Sequence, residues 1–122
     1  MDCQTNSFGR VIALRLERGD DILLSLKEVI AREGIRKGVI LTGCGTVDRC
    51  CYHRVTTTEI TPTDQRLMVE GPLEILSISG WIMDGQIHSH IVLADGDKSF
   101  GGHLEDGSRV LYLCNIVIAE LV

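Results

Sequence analysis

In "RVIALRLE", residues 10 to 17, Val11, Ala13 and others alternate in a manner that suits a strand. A period of two predicts a half-buried strand. The period then lengthens. In "GDDILLSLKEVIAREG" the residues Ile22, Leu23, Leu26, Val29 and Ile30 recur at the spacing of one helical face. Asp20 or Asp21 stands where a side chain can cap the first turn, and a carboxylate there suits the positive end of the helix dipole. Gly34 is placed to end the helix in the left-handed conformation, with Ile35 closing back over the last turn.

Beyond Gly34 every apolar run reads as strand. "KGVILTGCGTVDRCCYHRV" predicts a strand, a glycine-marked bend and a second strand, whereas "TTTEITPTDQ" reads as a polar loop. "RLMVEGPLEILSISGWIM" predicts β-structure interrupted at Gly71-Pro72, and "SRVLYLCNIVIAELV" a long final strand. One helix against a largely antiparallel sheet places the chain in the α+β class, as a two-layer α/β architecture. Its 122 residues suit one domain over 10–122, with 1–9 as an N-terminal extension.

Composition narrows the function classes. Twelve basic against seventeen acidic residues leave a net charge of −5, which opposes non-specific binding to nucleic acid. No apolar run is long enough to span a membrane as a helix, and "MDCQTNSFGR" lacks the regions of a signal peptide. The five cysteines are odd in number and lack CxxC spacing, so reduced thiols in a cytoplasm are expected. Cys50, Cys51 and Cys114 are expected to be small buried hydrophobes.

Three of the four histidines fall in "HSHIVLADGDKSFGGH", residues 88 to 103. Asp-Gly between β-rich runs is a hairpin signal, because a type I′ turn needs positive φ at both central residues. With Asp95 and Gly96 as those residues, Ala94 pairs with Asp97, His90 with Gly101, and His88 with His103. A four-residue loop from Ala94 to Asp97 keeps that register, whereas a three-residue loop throws His103 to the other face. His88 and His90 share a face at a Cα separation of about 6.5 to 7 Å. His103 joins them across the ladder, and Gly101 leaves a gap in which an ion can sit. Three imidazoles on one face suit a divalent transition metal such as zinc, with a fourth position for water or substrate. His53, in "CYHRV", has no such company and is assigned no role.

Other candidates are weaker. The glycines of "GCG", residues 43 to 45, suit a bend or close backbone approach, and Cys44 between them lacks a visible activating partner. Glu74 shares the alternation of Leu76 and Ile78. It is either an edge carboxylate in water or on an arginine, or a buried one with a shifted pKa and a functional use.

The segments "LERGDDILLSLKEVIAREGI", "GVILTGCGTVDR", "EGPLEILSISG", "HSHIVLADGD" and "GGHLEDG", in that order, resemble the plant and prokaryote conserved (PPC) domain over roughly residues 9 to 121. The resemblance implies an antiparallel sheet with a flanking helix, assembled as a homotrimer. It also implies that the H-x-H and G-G-H histidines, His88, His90 and His103, hold a metal, commonly zinc. A trimer of head-to-tail contacts closes into a ring and covers exposed strand edges. The family is also tied to DNA-binding proteins in which an AT-hook precedes this domain. No Arg-Gly-Arg-Pro core occurs in this sequence, and the basic group Arg32, Arg36 and Lys37 is small. Three functions follow: a trimeric metal-binding module with a regulatory or DNA-associated role, a metal-dependent enzyme acting on a small molecule through metal-bound water with Glu74 as general base, or a structural trimer.

Overall fold

The helix α1 spans Ile22–Glu33 and is set by its two ends. Asp21 is the N-cap, its side chain accepting from the Leu24 N–H, and Gly34 closes the other end at φ 66° and ψ 33°. The Ile35 N–H donates to the Ile30 carbonyl, which folds Ile35 into the core at 1% exposure. These are the C-terminal bonds of a left-handed cap. The expected apolar face, Ile22, Leu23, Leu26, Val29 and Ile30, is buried as one stripe.

The computed structural model describes all 122 residues and adds six strands: β1 (Phe8–Glu17), β2 (Lys37–Val55), β3 (Asp64–Met83), β4 (Gln86–Ala94), β5 (Ser99–Leu104) and β6 (Arg109–Leu121). They form one sheet in the order β1-β6-β2-β3-β4-β5, every neighbouring pair antiparallel. β2 also pairs with β5, which closes β2, β3, β4 and β5 on themselves as a small barrel. The α+β expectation holds, and β1 begins two residues before the expected strand.

Two expected breaks are not breaks. β2 runs unbroken through the glycines, with register shifts between Ile40 and Thr42 and between Gly45 and Val47. Gly45 takes φ 151°, and a Cβ there would lie 2.2 Å from the Leu113 carbonyl oxygen, so the glycines serve a bend and close approach to β6. β3 likewise continues through Gly71-Pro72, where a bulge opposite Asp48 absorbs the irregularity. The polar loop is observed between Val55 and Asp64, closed by Thr56 on Thr63.

Inward-facing residues of the sheet and the helix stripe make one core, including Leu14, Ile40, Val47, Ile78, Ile82, Ile91, Leu104, Ile116 and Ile118. Cys50, Cys51 and Cys114 are buried free thiols, as expected. Burial pushes the Cys50 thiol up to about 11 and the Cys114 thiol up to about 12. Cys44 is exposed.

Candidate metal centre

The β3–β4 connection sets the first half of the site. Met83 pairs with Gln86, and between them Asp84 and Gly85 take φ values of 52° and 76°. Positive φ at both central residues is the type I′ signature. This register places His88 opposite Trp81 and His90 opposite Ser79, with both imidazoles facing outward and Ser89 and Ile91 inward.

The β4–β5 hairpin differs from expectation by two residues. Ala94 pairs with Ser99, Val92 with Gly101, and His90 with His103, leaving Asp95 to Lys98 as the connection. Gly96 does not take positive φ, so Asp95-Gly96 is not a type I′ pair. The Asp95 side chain decides this. Its Oδ1 accepts from the Asp97 N–H at 2.8 Å and the Lys98 N–H at 3.0 Å, while its own N–H donates to the Lys98 carbonyl. That local bonding offers the backbone a turn centred one residue later. A shift of two preserves the face, so His103 still points outward, opposite His90 and diagonal to His88.

The three rings converge. His88 Nε2 lies 3.1 Å from His90 Nε2, and the ligating atoms of His88, His90 and His103 all lie within 4.8 Å of one another. Two nitrogens on one tetrahedral zinc stand about 3.3 to 3.4 Å apart. The pair is therefore near ligating distance, and the donor set fits zinc or another divalent ion that accepts imidazole. A cleft of about 340 Å³ lies over the rings, walled also by His53, Val55 and Gly102.

The glycines serve the scaffold. A Cβ on Gly101 would meet the Ile91 carbonyl oxygen at 2.0 Å, so its expected role as a ligand gap gives way to close approach between β4 and β5. A Cβ on Gly102 would meet the His53 carbonyl oxygen at 2.5 Å. Gly102 thus lets β5 lie against β2, and that contact brings His53 directly opposite His103.

His53 is consequently not isolated, contrary to expectation. Its ring stacks on His103 with centroids 4.2 Å apart, and its Nδ1 lies 2.5 Å from Glu105 Oε1. Residues 53 and 103 are far apart in sequence, and only the barrel closure joins them; no local pattern signals it. Burial, then the charges on His88 and His53, hold the His90 imidazole below its ordinary pKa. The His103 imidazole is lowered first by burial and then by His53 and His88, with Glu105 opposing.

Glu74 stands elsewhere. It pairs with Thr46 and Ala94 and is exposed, while a bulge at Leu76 separates it from the buried Ile78. Ala94 is four residues from His90, or about 13 Å along the strand. Within one chain Glu74 is outside the histidine cleft.

The fold and site together define a small α+β domain that carries an outward histidine cluster on a closed four-strand barrel. The model of the Plants and Prokaryotes Conserved (PCC) domain matches residues 3–122, and the chain belongs to that family. Two similar solved structures are the "metal-containing protein AF0104" of Archaeoglobus fulgidus and a plant- and prokaryote-conserved (PPC) protein of Pyrococcus horikoshii. The first is 26% identical, with a TM-score of 0.81 over 99% of this chain and 86% of that one. The second is 27% identical, with a TM-score of 0.81 over 100% of this chain and 85% of that one. A curated relative, the bifunctional protein GlmU of Synechococcus sp. (strain JA-3-3Ab), is 29% identical over 112 residues. That match spans 91% of this chain but only 17% of GlmU.

Proposed function

We propose that the protein is a metal-binding PPC module in which His88, His90 and His103 hold one divalent transition ion, with zinc favoured by the all-nitrogen donor set. The observation that carries this is the 3.1 Å approach of His88 Nε2 to His90 Nε2, with His103 on the same face. The name of the Archaeoglobus neighbour as a metal-containing protein supports it. The module assembles as a homotrimer in a reducing cytoplasm, and its role is regulatory or architectural. The similar stretch within GlmU supports a domain that also serves as part of a larger protein.

Direct DNA binding is the lesser part of the family's description for this chain. Arg36 lies 3.8 Å from Asp84 and Arg32 lies 3.7 Å from Glu33. Lys37 Nζ donates to Gln4 and Asn6. With a net charge of −5, these side chains supply no free basic stripe. The alternative, an enzyme using metal-bound water on a small molecule, draws support from the open cleft over the rings. Glu74 would serve as its general base only if a neighbouring subunit brought that carboxylate to the cleft.

Elemental analysis of the purified protein beside the His88→Ala/His103→Ala double variant tests the metal. One equivalent in the parent and a near-complete loss in the variant is expected. Equal metal content in the two would overturn the assignment.

A further inference from the structure

The four histidines do not form one equal cluster. His53 lines the same cleft as His88 and His90 but is bonded to a carboxylate, with Nδ1 2.5 Å from Glu105 Oε1. The ligating atoms of His53, His103 and Glu105 all lie within 4.8 Å of one another. We propose that His53, His103 and Glu105 form a second divalent-cation position, overlapping the three-histidine one through His103.

The frame is rigid where this position needs it. His53 and His103 are a cross-strand pair of β2 and β5; their rings are stacked within 24° of parallel, so the His53 ring turns out of the stack for both lone pairs to meet one ion. Glu105 follows β5 directly. Its N–H donates to the Cys51 carbonyl at 2.9 Å, and its own carbonyl accepts from the Ser108 hydroxyl at 3.0 Å. The His53 and Glu105 side chains are 25% and 22% exposed, so solvent reaches both without mobilising them. Ligation widens the 2.5 Å contact between Nδ1 and Oε1 to about 3.3 Å, the spacing of two ligands on one tetrahedral ion.

The local charge has the right sign. Asp64 Oδ2 lies 3.6 Å from His53 Nε2 and adds a second carboxylate. Arg66 is an opposing cation, 3.9 Å from Glu105 Oε2, but it is shared with Asp106 at 3.4 Å. Glu105, Asp64 and Asp106 against Arg66 and the cleft-lining Arg54 leave one excess negative charge.

The two positions differ in chemistry. Two imidazoles and a carboxylate form a mixed nitrogen and oxygen set, which takes Fe(II) and Mn(II) as well as zinc. The His103 ring serves one ion at a time, so the positions compete and the chain holds one ion in either. The second position does not require the first to be filled, and its failure is separable from that of the three-histidine site.

The test is equilibrium dialysis of metal-free protein against Zn²⁺ or Mn²⁺ alone. The chains are the parent, His88→Ala/His90→Ala, and that double variant with Glu105→Gln added. The double variant is expected to bind one ion, and Glu105→Gln to remove it. A double variant that binds no ion overturns the second position, as does a triple variant that binds as tightly as the double. Equal zinc affinity in parent and double variant upholds the second position and overturns the three-histidine one. His88→Gln/His90→Gln replaces the alanine pair if that pair does not unfold cooperatively.

Discussion

His103 is the residue on which the chemistry of the barrel turns, because β4 offers it His90 and β2 offers it His53 across two separate ladders. Crowding has a measurable consequence in the metal-free chain. His90 and His103 are held below the ordinary imidazole pKa of about 6.5, chiefly by burial, so the folded chain binds fewer protons than the unfolded one just below that pH. Stability is therefore expected to fall as pH drops from about 6.5 through the lowered folded values. His103→Asn should flatten that acid limb in urea titrations at pH 5 and 7.5 with chelator present. An unchanged slope would remove His103 as its source. Among the thiols, the raised pKa values of Cys50 and Cys114 and the burial of Cys51 restrict reaction to Cys3 and Cys44. A disulfide-exchange reagent at pH 8 is expected to titrate no more than two thiols in the native chain and all five after unfolding. Rapid release of a third would mean that the core opens.

At the scale of the element, the hairpins explain what local sequence could and could not tell. The stripe of α1 and its Gly34 cap were legible because a helix reports its own period and its own ends. The histidine face was legible because His88 and His90 are two apart, and an even slip of register cannot turn a side chain over. The register itself was not. The Asp-Gly rule applies at Asp84-Gly85, while Asp95 bonds forward to Asp97 and Lys98 and moves its turn by one residue. Nor was the β2–β5 closure legible, because a barrel seam is a property of strand order and not of any segment. Gly102 is the testable point of that seam. Gly102→Ala should cost about 1 to 3 kcal/mol of stability by overpacking against the His53 carbonyl. It should also weaken metal binding by displacing His103. A neutral substitution in chemical denaturation would mean that β5 does not lie so close to β2. By contrast, Leu26→Ala, at 0% exposure in the helix stripe, should cost about 2 to 5 kcal/mol through a cavity remote from the metal and leave metal stoichiometry intact.

For the whole molecule, the outward face of the sheet is the unusual feature. Leu41, Trp81, Met83 and Val92 are 42% to 59% exposed there, and Trp81 pairs with His88, so apolar surface adjoins the histidines. Adjoining exposed apolar residues mark an association surface, which accords with the proposed homotrimer. Sedimentation equilibrium should return three times the 13.4 kDa chain mass, and Trp81→Glu should lower it; a monomeric parent would contradict the assembly. The metal site is defined by its ligands. X-ray absorption at the zinc edge of the reconstituted protein tests it most directly. The expected first shell is three imidazole nitrogens at about 2.0 to 2.1 Å with one further light atom. A shell containing sulfur at about 2.3 Å, or one without imidazole scattering, would contradict a site built from His88, His90 and His103.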